Sequence, residues 1–146
     1  MANETTLKQF EEMGGRAMLL KVNKVFYDKI YAHPWIGLFF EHVDQEYIEM
    51  QQTNFMQATL GGENIYGGKT PVFAHSRIRV TEPLFDLREK LLLEALDEVG
   101  ANDKLKTAWI RIDNKFKRPV LDKAEEDAKN PSPIGDVMDF PCPRGM

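Results

Sequence analysis

Three residues of this chain have types and positions that can do chemistry together. His75 closes the run Thr70-Pro71-Val72-Phe73-Ala74-His75, just after the glycine-rich stretch 61–69. Tyr27 follows Phe26 far upstream, and Gln52 interrupts an apolar pattern between them. Gln52 lies near Ile48 and Phe55 in helical spacing, so it turns to the same side as they do. A buried amide needs partners, since an unpaired one costs about 1–3 kcal/mol. The Tyr27 hydroxyl is a suitable partner, and so is a polar ligand. An imidazole facing such a pair across an apolar slot has the groups needed to hold an iron porphyrin. Residue by residue the plainer readings stand beside this one. His75 also reads as an ordinary surface histidine, and Tyr27 as an interfacial tyrosine with its hydroxyl in water.

The other titratable groups are less suggestive. His33 precedes Pro34 at a helix C-terminus, where an imidazolium interacts well with the helix dipole. His42 lies in an exposed-looking turn, Phe39-Phe40-Glu41-His42. Cys142 sits between prolines with no histidine nearby, so a nucleophilic role has little support. There is no phosphate-binding glycine loop, no Gly-x-Ser-x-Gly and no His-Glu-x-x-His.

The elements that must position these residues read as helices, without convincing strand alternation. Thr6 and Gln9 form a capping box for a first helix, Leu7 to Met13, broken by Gly14-Gly15. A second helix runs from Arg16 to His33, with Leu19, Val22, Phe26 and Ile30 on one face. Pro34 ends it, and Trp35 to Phe40 forms an apolar turn. Asp44 caps a helix from Gln45 to Leu60, stopped by Gly61-Gly62. Thr70, with Pro71 in the first turn, starts the short helix that carries His75. Thr81 opens a helix bearing Leu84, Leu87, Leu91 and Leu92, closed by Gly100. Asn102 caps the last helix, with the stripe Leu105, Ala108, Trp109, Ile112 and Phe116, which Pro119 kinks or ends. From Asp122 charge and then proline dominate, so residues 122–146 read as a mobile tail behind a domain spanning 1–121.

Composition narrows the class. At 146 residues one domain is expected, and the 42% hydrophobic fraction can build a core. A net charge of −4 argues against a nucleic-acid face and against an anionic membrane surface. No apolar run reaches the roughly 20 residues needed to span a bilayer. The first residues lack the basic and apolar regions of a secretion signal, and one cysteine excludes an internal disulfide. The expectation is a cytoplasmic monomer.

In register, these pieces resemble the truncated, two-over-two haemoglobins, nearest to group I. The resemblance runs from about Leu7 to Leu121. It rests on Phe10-Glu11-Glu12-Met13-Gly14-Gly15, Val25-Phe26-Tyr27-Asp28, Phe39-Phe40 before Val43-Asp44, and Gln52 to Phe55 before Leu60-Gly61-Gly62. Tyr66 and Lys69 leading into Ala74-His75 complete it. It implies an all-α fold of two crossed helix pairs around one non-covalent haem b per chain. His75 would be the axial iron ligand, which leaves the opposite face of the iron open. Tyr27 would be the distal hydrogen-bond donor and Gln52 its partner, with Gln51 nearer the haem edge and Ile48 at the distal gate. Phe40 would pack on the haem face, with Phe26, Phe55, Tyr66, Phe73, Ile78 and Val80 around it. Lys69, Arg77 and Arg79 would meet the propionates.

Three departures stand out. Ile48 is apolar where many globins place a polar residue, and Gln51 replaces a distal histidine that some relatives use as a sixth ligand. The last helix has no histidine for a covalent haem link; Arg118 stands nearby. The resemblance implies reversible binding of O2, CO or NO. Nitric oxide dioxygenation with an external reductase is the alternative, and a non-haem helical interaction module with an incidental His75 is the third.

Overall fold

The computed structural model describes residues 4–41, 43–62 and 81–129. Helix α1 spans Glu4–Glu12 and α2 spans Gly15–Ala32, followed by a 3-10 turn over Ile36–Phe40. Helix α3 spans Gln45–Thr59, α4 spans Glu82–Glu98 and α5 spans Asp103–Lys129. Helix α2 is central: it packs against α3 and against α4, and α4 packs on α5. The all-α architecture expected from periodicity is therefore what these residues adopt.

The apolar stripes explain the packing. Leu19, Val22, Phe26 and Ile30 of α2 are almost fully buried, as are Met56 of α3, Leu92 and Leu96 of α4, and Leu105 and Trp109 of α5. They belong to one continuous cluster. Phe85, Val120 and Leu121 form a smaller one with Phe116 at its edge. One polar pair is sealed inside: the Asn23 amide donates to the Thr53 hydroxyl at 2.8 Å and ties α2 to α3.

The helix ends follow local chemistry. The Asp44 carboxylate accepts from the Tyr47 N–H at 3.1 Å, the Thr81 hydroxyl from Leu84 N–H at 3.4 Å, and Asn102 Oδ1 from Leu105 N–H at 2.9 Å. Helix α3 stops because Gly61 adopts φ 102°, in the left-handed region, and the Gly62 N–H turns back to the Gln57 carbonyl. A Cβ on Gly62 would come within 2.8 Å of the Phe10 ring, so glycine is also a packing requirement there.

Three local expectations are corrected. Helix α1 begins at Glu4, so Thr6 lies inside it and the Thr6–Gln9 capping box is not its start. Pro119 does not end α5, which continues to Lys129. Pro119 and Lys115 are both exposed, so water can reach the carbonyl whose bond the proline gives up. The helix thus runs past the compositional change at Asp122. His33 caps α2 differently from the dipole argument: its Nδ1 accepts from the Trp35 N–H at 3.1 Å and lies 3.4 Å from Ile36 N. An accepting Nδ1 must be unprotonated. Burial, with Lys90 adding to it, lowers the His33 pKa accordingly.

Candidate functional site

Tyr27 anchors the site. It is 6% exposed, on the face of α2 next to the fully buried Phe26. The Phe26 and Tyr27 rings lie 4.9 Å apart, and the Phe40 ring stands edge-on to Tyr27 at 6.1 Å. The corner that carries Phe40 is held against α2. The Tyr31 hydroxyl donates to the Val43 carbonyl at 2.8 Å, and the Gln45 amide donates to Asp28 at 2.6 Å. The Tyr27 hydroxyl itself has no hydrogen-bond partner among the described residues. Burial pushes its pKa well above the usual phenol range; Arg88 opposes that shift, while Tyr31, Asp113 and Glu49 reinforce it. The group is therefore a neutral O–H donor at any ordinary pH.

Helix α3 brings the other expected residues alongside. Ile48, Gln51, Gln52 and Phe55 are all half-buried. Ile48 and Phe55 pack against the main cluster, and Phe55 faces Phe116 of α5 at 6.1 Å. Gln52 does not supply the buried polar contact between α3 and α2: Thr53 does, bonded to Asn23. His75, Tyr66, Lys69, Phe73, Arg77, Ile78, Arg79 and Val80 lie outside the described residues.

Sequence reasoning missed a second feature. The Arg88 guanidinium of α4 lies over the Phe26 ring at 5.4 Å and over Phe85 at 5.6 Å. Its Nη1 donates to the Asp113 carboxylate of α5 at 2.9 Å. Burial disfavours the Arg88 charge, but Asp113 more than offsets it, and its pKa is raised. The signal was present. Arg88 is one turn after Leu84 and one before Leu92, and Asp113 is one turn after Trp109, so both charges interrupt apolar stripes.

With this geometry in view, the comparisons define the class. The bacterial-like globin family profile matches residues 8–121, and the chain belongs to that family. The chain is similar to a group 1 truncated haemoglobin of Tetrahymena thermophila, 31% identical over 66% of this chain and 79% of that one. It is also similar to the group 1 truncated haemoglobin of Tetrahymena pyriformis, 28% identical over 78% of this chain and 94% of that one. The ferric crystal structure of the T. pyriformis protein superposes with a TM-score of 0.70, covering 77% of this chain and 97% of that one. A cyanomet two-over-two haemoglobin from Synechococcus, which carries covalently attached haem, shares the fold at 24% identity and a TM-score of 0.71. The protein is thus a haem-binding globin of the two-over-two kind, which sets aside the non-haem module.

The described residues fit that cofactor. The half-buried Phe40 ring stands beside Tyr27, whose hydroxyl is a donor committed to no described residue. Among the described residues no cluster of three or more His, Cys, Asp or Glu side chains can hold a metal ion, and no helix is long and apolar enough to cross a membrane.

Proposed function

We propose that this globin captures diatomic gases on haem b, held non-covalently, with Tyr27 as the principal donor to the ligand. Haem supplies the iron centre that takes up the gas. The chain's own part is to exclude water and to place one strong donor. The observation that carries this reading is the buried Tyr27 side chain, flanked by Phe26 and Phe40, whose hydroxyl is bonded to no described residue. A hydroxyl committed to no neighbouring side chain can donate to a ligand with partial negative charge, a bond worth about 1.5–3 kcal/mol.

In this reading Gln52 is the second donor, one helical turn beyond Ile48 on α3, and Gln51 lies nearer the haem edge. Structures of T. pyriformis variants replace one tyrosine by phenylalanine and each of two glutamines by glutamate. Those glutamines are also one helical turn apart, at the same distance along the chain from the tyrosine as Ile48 and Gln52 are from Tyr27. The correspondence supports Gln52 as a ligand-side amide and makes Ile48 the apolar substitute for a second one. His75 is the axial ligand in this assignment, with Lys69, Arg77 and Arg79 toward the propionates. A Soret band in the purified protein that shifts on reduction and again with carbon monoxide tests the cofactor. Slow oxygen release that accelerates in Tyr27→Phe tests the donor.

A further inference from the structure

Arg88 is a charge that the gas-binding reading does not use. It reaches the Phe26 ring from the α4 side, while Tyr27 adjoins the same ring on α2. The Arg88 charge lowers the Tyr27 hydroxyl pKa, against burial and against Tyr31, Asp113 and Glu49, which raise it. The Arg88 side chain keeps 21% of its surface open, while that of Asp113 is only 6% exposed. Asp113 accepts from one of its five N–H groups, and no other hydrogen bond from Arg88 joins a described residue.

We propose that Arg88, clamped by Asp113, is a specificity-determining residue that makes the Tyr27 side of the pocket prefer ligands carrying negative charge. The proposal rests on the reading of Tyr27 as the ligand-side donor. The reasoning is electrostatic. A permanent cation packed on the Phe26 and Phe85 rings is only partly screened by water, so its attraction reaches beyond direct contact. Asp113 holds the guanidinium in place through one nitrogen and cancels part of its field, but it is the guanidinium that lies over the Phe26 ring which Tyr27 adjoins. Arginine is suited to this role because it stays charged when buried. The favoured ligands are small anions and gases that draw electron density when bound; neutral carbon monoxide gains little.

The test measures equilibrium affinities of the haem-loaded protein, with fluoride and azide for the ferric form and carbon monoxide for the ferrous form. Arg88→Met should weaken fluoride and azide on the order of 10-fold to 30-fold, while carbon monoxide changes less than about twofold. Arg88→Lys keeps a charge and should restore most of the anion affinity. The paired variant Arg88→Gln with Asp113→Asn removes both charges without leaving either buried and unpaired, and should still weaken anions roughly 3-fold to 10-fold. This pair carries the test if Arg88→Met fails to fold. Anion and carbon monoxide affinities that fall together, or anion affinities that hold in the paired variant, would overturn the proposal. Failure of the Tyr27 reading looks different. If Tyr27→Phe leaves oxygen release unchanged, the donor assignment and the proposal built on it both fall, whatever the Arg88 variants do.

Discussion

Removing only the hydroxyl of Tyr27 should give two opposite results, one in the haem-free protein and one in the loaded protein. Tyr27→Phe leaves the ring between Phe26 and Phe40, at 4.9 and 6.1 Å, so no cavity opens. The hydroxyl has no described hydrogen-bond partner to lose, and the residue as a whole is only 6% exposed. The haem-free variant should therefore be at least as stable as the parent, because no hydrogen bond to a described residue is lost. With ligand present the sign reverses. A hydrogen bond to a partly negative ligand is worth about 1.5–3 kcal/mol, which corresponds to oxygen release roughly 10-fold to 150-fold faster. Carbon monoxide, less polar when bound, should dissociate nearly as before. Stopped-flow displacement of each gas, with thermal melting of the haem-free protein, reads all three quantities. Equal acceleration of both gases would mean that the ring's shape matters and not its hydroxyl. A clear loss of haem-free stability would mean that the hydroxyl has a structural partner. If Gln52 shares the ligand, Tyr27→Phe with Gln52→Leu should be non-additive, since groups in one network couple.

Other outcomes follow from single contacts. His75→Ala should lose haem or bind it weakly with an altered Soret band; unchanged retention and spectrum would refute the axial assignment. Thr53→Val removes the acceptor of the buried Asn23 amide, whose Oδ1 already lacks a described partner, and should destabilise the fold by about 1–3 kcal/mol in chemical denaturation. His33 has a lowered folded-state pKa from burial and from Lys90, so the unfolded chain binds its proton more readily. Its contribution to stability is complete above the ordinary value of 6.5 and is lost as pH falls through the lowered one. His33→Asn keeps an acceptor that does not titrate, and should flatten that acid-side decline in melting temperature.

Much of this protein was decided locally. The stripes on α2, α4 and α5 needed only helical period, and the caps Asp44, Thr81 and Asn102 needed only a short side chain before an apolar run. The order of motifs around Phe26-Tyr27, Phe39-Phe40 and Gly61-Gly62 was enough to point to a two-over-two globin. These signals are legible because each depends on neighbours within a few residues. Local rules also misplaced the start of α1 and overrated Pro119, since a helix end there depends on what the rest of the chain presents and on access to water. The buried polar contact between α2 and α3 belongs to Thr53 and not to Gln52, because the rotation of α3 against α2 is set by packing across both surfaces. The Arg88–Asp113 pair appears in sequence only as two charges interrupting apolar stripes. Only the crossing of α4, α5 and α2 brings those charges together beneath Phe26 and within electrostatic reach of Tyr27, 61 residues from Arg88 along the chain. Charge complementarity across such a separation is a property of the tertiary structure, and no periodicity in the chain encodes it.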